Sequence, residues 1–263
     1  MQQIAEAILY CALFLLAGMA GLVLRRHLPE RHRDRDTLDF VRLVVGALVT
    51  FLAIVLGLLT ASAQSHFDNV GNTYRHMAGQ VVQLDDALRA TGAAGESIRA
   101  EMRSYLAAVL FSTWPDEPAP SGTFLRGLPA GQRESTALSA LLRRVQTQIE
   151  ELDPKVLPAA SLKAPAVALF QDFTKARWAV IETDHRTVPP AFYGLMLFWT
   201  ALMFLGFGLC APRSTVSAVT VLICAISLAS VIYVILELDD SSSGLIAISS
   251  NPLRQALVDL DRP

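Results

Sequence analysis

The chain has 263 residues, of which 52% are hydrophobic and 17% charged, and its formal net charge is −2. A net charge near zero argues against a nucleic-acid-binding protein, because such proteins present a broad basic face to phosphate groups. The hydrophobic share exceeds that of an ordinary soluble domain, which indicates membrane spans. The cysteines, Cys11, Cys210 and Cys224, all lie in apolar stretches. We expect them to be small buried hydrophobic residues, since no disulfide or zinc spacing occurs.

Four apolar segments are each long enough to cross a bilayer. They cover residues 4–24, 41–63, 192–211 and 216–236. A helix of about 20 residues matches roughly 30 Å of hydrocarbon at about 1.5 Å per residue. Short connections pair the segments. The sequence therefore predicts an all-α protein with two transmembrane hairpins, residues 1–63 and 191–236, and a large insert between spans two and three.

Arginines cluster in and beside the two short loops that join paired spans. They are Arg25, Arg26, Arg31, Arg33, Arg35 and Arg42 at the first loop and Arg213 in the second. Short arginine-rich loops remain in the cytoplasm. We therefore expect the N-terminus, the insert and the C-terminal tail to be extracytoplasmic.

The start of the insert has a regular apolar spacing. Its members recur at intervals of 3 and 4 residues and form the bundle seam: Phe67, Val70, Tyr74, Met77, Val81, Leu84 and Leu88. This spacing is typical of one face of a helix in a bundle or coiled coil. No proline or double glycine separates the seam from span two, which predicts one long continuous helix to about residue 88.

Three further helices are predicted in the insert, over about residues 96–114, 134–152 and 164–185. The segment 115–132 is rich in proline and glycine and must be a loop. No alternating β pattern of any length occurs. We therefore expect residues 64–190 to form a helical bundle outside the bilayer.

The tail, residues 237–263, begins with the acids Glu237, Asp239 and Asp240. One interpretation is a solvated exit from the membrane, followed by a turn at 241–244. Ser250 or Asn251 would then cap a helix that starts at Pro252, and its Leu253 and Leu257 face would dock on the bundle. The alternative is an oxygen-ligand cation site, for example for calcium, which favours carboxylates and turn carbonyls.

A stripe of small polar residues follows one face of span four. Its members are Ser217, Thr220, Cys224 and Ser227. Small residues let membrane helices approach closely, so the stripe is a candidate packing surface. The alternative is a polar stripe along a pore.

The chain resembles the bestrophin-like domain proteins of bacteria. The likeness rests on the basic loop after span one, the long second span, the helix end between Tyr105 and Pro115 (VLFSTWP), and the segment ELDDSSSGLIAISSNPLRQAL after span four. Such proteins tend to have a Pro-Phe pair where this chain has Ser241 and Ser242. The resemblance implies a location in the bacterial cytoplasmic membrane.

The family is named for a distant likeness to bestrophins, which are pentameric anion channels. In bestrophins an acidic cluster just past the fourth span forms a calcium clasp, and apolar side chains of the second span form a constriction. Glu237, Asp239 and Asp240 correspond in position to that cluster. Bestrophins keep their insert in the cytosol, which is opposite to the orientation that the arginine-rich loops predict here.

Two hypotheses about function follow. The first is an oligomeric, channel-like protein, a candidate anion channel by resemblance, with a pore lined largely by span two. The second is a non-conducting membrane protein whose extracytoplasmic bundle senses or binds a partner, since the bundle seam could pair with another chain. The sequence contains no catalytic or phosphate-binding motif, so we expect no enzymatic activity and no cofactor.

Overall fold

The computed structural model describes residues 2–27, 35–125, 135–153, 160–183, 190–212, 214–239 and 247–262. In this part of the chain there are eight α-helices and no strand. The helices are α1 (Gln2–His27), α2 (Arg35–Ala90), α3 (Ala93–Thr113), α4 (Thr136–Glu151), α5 (Lys163–Thr183), α6 (Pro190–Cys210), α7 (Thr215–Asp239) and α8 (Asn251–Leu260). The predicted all-α class is confirmed. Arg31, Arg33, Arg213, Asp240, Ser241 and Ser242 lie outside the described residues.

Four of the helices are long and apolar enough to cross a membrane. These candidate spans are Ile4–His27, Asp39–Ala90, Ala191–Cys210 and Thr215–Asp239. They match the four apolar segments identified in the sequence, except that the third ends at Cys210, one residue before the predicted end. The prediction of four helices long and apolar enough to span a membrane is confirmed.

Helix α2 has 56 residues and runs without a break from the second apolar segment through the whole bundle seam. At about 1.5 Å per residue it is roughly 84 Å long. The predicted continuous helix is confirmed. It ends at a two-residue turn in which Gly92 has φ 68°, a left-handed conformation that glycine adopts without steric cost.

The chain divides into two compact units. Unit 1 comprises Met1–Phe67 and Arg186–Ile246, and unit 2 comprises Asp68–His185 and Ala247–Pro263. In unit 1, α1 packs against both α6 and α7. The rings of Phe14 and Phe204 stack at 5.3 Å in its core. Many apolar side chains of unit 1 remain exposed, as expected of helices whose outer surface contacts lipid or another copy of the chain.

Unit 2 has its own apolar core. Six seam residues, Val70, Tyr74, Met77, Val81, Leu84 and Leu88, are at most 2% exposed. Helix α3 packs against α4 and α8, and α4 packs against α5. The seventh seam residue, Phe67, is partly buried against the core of unit 1.

Two expectations from the sequence are wrong in detail. Ser250 is the N-cap residue of α8, as expected, but the helix begins at Asn251 rather than at Pro252. The side chain of Ser250 makes no capping hydrogen bond, and its hydroxyl bonds to Glu117 and Arg254 instead. The three cysteines were expected to be buried, but Cys224 is exposed and Cys11 and Cys210 are half-buried.

Candidate functional site

Two carboxylates are buried at the end of α7. Glu237 is fully buried and Asp239 is 4% exposed. The Tyr193 hydroxyl donates a hydrogen bond of 3.1 Å to Oδ2 of Asp239. The Tyr233 hydroxyl, one turn earlier on α7, is hydrogen-bonded to Glu237. The two tyrosines therefore supply polar partners inside an otherwise apolar part of unit 1.

The interpretation of these acids as a solvated exit from the membrane is wrong for Glu237 and Asp239. Helix α7 continues to Asp239, three residues beyond the last apolar residue of the predicted span. The last helical turn therefore stays in the core of unit 1 together with Ile235, Leu236 and Leu238. A buried carboxylate needs hydrogen bonds or a partner charge to offset the loss of hydration, and the tyrosines contribute the former.

The possible cation site at these acids is only partly within the described residues, since Asp240 lies outside them. Within the described residues, no group of three or more histidine, cysteine, aspartate or glutamate side chains could hold a metal ion. The cation site stays a prediction.

The small polar stripe on α7 does not form the packing face of that helix within the chain. Ser217 is half-buried, whereas Thr220, Cys224 and Ser227 are exposed. The buried residues of α7 are instead Ala225, Ala229, Ile232 and residues 235–239. Packing against another copy and a pore stripe therefore both remain predictions.

Glycines allow a close contact between α1 and α6 in unit 1. A Cβ added at Gly21 on α1 would lie 3.0 Å from the Cα of Gly208 on α6, and a Cβ added at Gly208 would overlap the carbonyl oxygen of Gly18. Close approach of membrane helices at small residues is a common source of packing energy in the bilayer. Arg25 also donates to the carbonyl of Ala211, just past the end of α6.

In unit 2 the segment after α3 holds the start of α8. The indole Nε1 of Trp114 donates to the carbonyl of Ile248 at 2.8 Å. Glu117 accepts from Arg254 Nε at 2.9 Å and from the Ser250 hydroxyl. Two of the segments that carry the family resemblance, one around Trp114 and one in the tail, therefore meet in unit 2.

An ion cluster around the buried carboxylate of Asp85 contacts the other end of α8. Asp85 on α2 is 4% exposed and accepts from Arg99 Nε at 2.7 Å and from Arg89 Nη2 at 2.8 Å. Both arginines also donate to the carbonyl of Arg262. Cations at a helix C-terminus are favourable because they satisfy the last carbonyls and oppose the helix dipole. A third arginine, Arg103, pairs with Asp261.

This ion cluster was not predicted from the sequence. Asp85 and Arg89 are four residues apart on one helix, a spacing from which an ion pair could have been predicted. Arg99 pairs with Asp85 from the next helix, 14 residues later in the chain, so this contact depends on the packing of α3 against α2. The contact with α8 joins segments more than 150 residues apart in the chain.

The family model of the bestrophin-like domain matches residues 12–253. The chain belongs to the bestrophin-like domain family. The resemblance seen in the sequence is thereby confirmed. The match begins within α1 and includes the other three candidate spans, the bundle seam and the start of α8. No curated protein matches this bestrophin-like chain.

Solved structures show the same fold. A crystal structure of a mutant bacterial bestrophin homologue from Klebsiella pneumoniae has a TM-score of 0.70 and 14% sequence identity to this chain, and the match covers 97% of each chain. Two further mutant structures of a bestrophin homologue from that organism each have a TM-score of 0.69. The first is 14% identical to this chain, and the match covers 97% of both chains. The second is 15% identical, and the match covers 96% of this chain and 97% of that structure's chain. At this level of identity the likeness shows the fold of the bestrophin-like chain and not its activity.

Proposed function

We propose that this bestrophin-like protein is an oligomeric, channel-like membrane protein and a candidate anion channel, with a pore on the symmetry axis lined largely by α2. The observation that carries the proposal is the family match over residues 12–253, together with a fold shared with bacterial bestrophin homologues along nearly the whole chain. Fold similarity alone does not determine function, so the proposal needs a direct test.

The interior of unit 1 supports a pathway between copies rather than through one chain. Among the described residues of unit 1, the buried polar side chains are Thr200, Glu237 and Asp239. Thr200 bonds to the carbonyl one turn earlier on its own helix. Three separate polar groups cannot replace the hydration shell of an ion along a whole bilayer.

The outer surface of α2 supplies apolar side chains that suit a constriction. Exposed members on its first half are Phe40, Leu43, Val44, Val49, Phe51, Ile54 and Leu58. Apolar constrictions can gate a pore by excluding water. Those members that do not face a pore would contact lipid or the neighbouring copy.

The alternative of a non-conducting partner-binding protein rested on the bundle seam. Six of its seven residues are buried inside unit 2 by the chain's own helices. The seam is therefore already covered and does not favour pairing with another chain.

The arrangement in the membrane is part of the proposal. We place residues 1–63 and 191–236 in two transmembrane hairpins, with residues 64–190 outside the bilayer. Of the predicted tail, residues 237–263, the part from Ala247 onward docks on the bundle, whereas Glu237 and Asp239 complete α7. The arginine-rich first loop supports a cytoplasmic location for that loop, and hence an extracytoplasmic bundle and tail in the bacterial cytoplasmic membrane. No resident cofactor and no enzymatic activity are part of the proposal.

Anion flux from liposomes that contain the purified protein tests the proposal. Leu58→Ser on α2 should raise the flux several-fold if this exposed residue contributes to an apolar constriction. Leu195→Ser is the matched control, because Leu195 is similarly exposed, at 54% against 67%, but lies on α6. No flux above protein-free liposomes from the parent or from either variant, with the oligomer intact, would contradict the proposal.

A further inference from the structure

A buried arginine lies in unit 2 away from the ion cluster around Asp85. Arg177 on α5 is 4% exposed. Its Nε donates to the Tyr105 hydroxyl at 2.9 Å, and its Nη2 donates to the Ser139 hydroxyl at 3.3 Å. The flat face of the guanidinium is covered by Trp178, whose ring centre lies 5.2 Å from Cζ.

Nothing among the described residues neutralises this charge. Arg177 forms no ion pair with any carboxylate there, and its hydrogen-bond partners are two hydroxyl groups. Burial raises the pKa of the Tyr105 hydroxyl, and Arg177 opposes only part of that rise, so Tyr105 stays neutral at neutral pH. Because a guanidinium does not lose its proton in proteins, the positive charge of Arg177 persists.

An unpaired buried charge is costly, and an anion in contact with it would offset that cost. Most buried charges in proteins are paired for this reason. A group with one negative charge would therefore be stabilised next to the guanidinium group of Arg177.

The same arginine lines an open cleft between α4 and α5. The cleft has a volume of about 280 Å³. Its walls are Ser139, Leu142, Arg143, Gln146, Phe170, Thr174, Arg177 and Trp178. It therefore combines two cations and two hydroxyl groups with a wall of three apolar side chains, two of which are aromatic.

We propose that this cleft is a binding site for a small carboxylate with an apolar, flat body. Two of the five N–H groups of Arg177 go to Tyr105 and Ser139, which leaves three for the carboxylate oxygens. Arg143 supplies the second cation at the exposed rim. The apolar body contacts Phe170 and Trp178.

The site is independent of the proposed channel. All of its residues belong to unit 2, and ligand binding there requires neither an oligomer nor a pore. Absence of ion flux would therefore leave this inference untouched, and absence of ligand binding would leave the channel proposal untouched.

Titration of the purified full-length protein with benzoate, acetate and inorganic phosphate, at constant ionic strength, tests the proposal. Tryptophan fluorescence is the readout, because Trp178 lies in the cleft and is one of three tryptophans. Trp178→Phe should remove most of the signal while binding persists by calorimetry. We expect saturable binding of benzoate, weaker binding of acetate, and the weakest binding of phosphate.

Variants that remove single positive charges test which arginines bind the carboxylate. Arg177→Gln should abolish benzoate binding, and Arg143→Gln should weaken it roughly tenfold, the size expected for loss of a charge-assisted contact. Arg144→Gln is the control, since Arg144 is an exposed neighbour on α4 that does not line this cleft. If Arg177→Gln does not fold, the benzoate affinities of Arg143→Gln and Arg144→Gln are compared instead, and only the former should be lowered.

Several results would overturn the proposal. These are no saturable binding of benzoate by the parent, unchanged binding in Arg177→Gln, and equal affinities in Arg143→Gln and Arg144→Gln. Tighter binding of phosphate than of benzoate would refute the carboxylate class.

Discussion

The contact between α1 and α6 should be sensitive to a single methyl group. Gly208→Ala places a Cβ 3.0 Å from the Cα of Gly21 and onto the carbonyl oxygen of Gly18. Carbon atoms normally approach no closer than about 3.5 Å, so the two helices must move apart. Both obstructing atoms belong to the backbone, which cannot turn away as a flexible side chain can.

The expected magnitude combines two opposing effects. Overpacking of this kind costs about 1–3 kcal/mol, and the better helix propensity of alanine offsets at most about 1 kcal/mol of it. Because both obstructing atoms are backbone, the upper half of the overpacking range, about 2–3 kcal/mol, applies. We therefore expect Gly208→Ala to lower the free energy of unfolding of unit 1 by about 1–2 kcal/mol. Gly21→Ala should act in the same direction, because the two glycines meet at one contact.

Thermal unfolding in detergent, followed by intrinsic fluorescence, measures the effect. Gly194→Ala is the matched control, because Gly194 lies on the same helix and an added Cβ there has nothing within 4 Å. The control should leave the Tm unchanged or raise it slightly. Equal Tm values for Gly208→Ala and Gly194→Ala would refute the close helix crossing.

Three further results are expected. Asp85→Asn should destabilise the protein by about 1.5–3 kcal/mol, the size of lost charge-assisted hydrogen bonds, and expose the C-terminal residues to proteolysis. Asp86→Asn, at an exposed position, should do neither. Calcium at millimolar concentration should not raise the Tm of the parent; a rise that is lost when Asp239 and Asp240 both become asparagine would establish a cation site. A reporter active only in the periplasm should work when fused after Pro263, and activity of a cytoplasm-only reporter there would reverse the proposed orientation.

Local periodicity was enough to predict the helices. The spacing of Phe67 through Leu88 depends only on which face of one helix is apolar, so α2 could be predicted to continue beyond span two. The four candidate spans could also be predicted from the sequence, because length and hydropathy decide whether a helix can cross a bilayer.

The environment of polar residues could not be predicted in the same way. Hydropathy ends span four at Leu236, but tertiary packing carries α7 to Asp239 and buries two acids beside tyrosines. Ser250 fits the pattern of a helix cap, yet its hydroxyl bonds to Glu117, 133 residues earlier in the chain. The burial of Arg177 likewise depends on tertiary packing, since its hydrogen-bond partner Tyr105 lies on another helix, 72 residues earlier in the chain.

The mass of the purified complex in nanodiscs tests the central proposal most directly. The interior of unit 1 offers no continuous polar path among its described residues, so a pore requires several copies around an axis. We predict a single species whose protein mass is an integer multiple, three or more, of the 28.5 kDa chain. A stable monomer at the same concentration would contradict the channel.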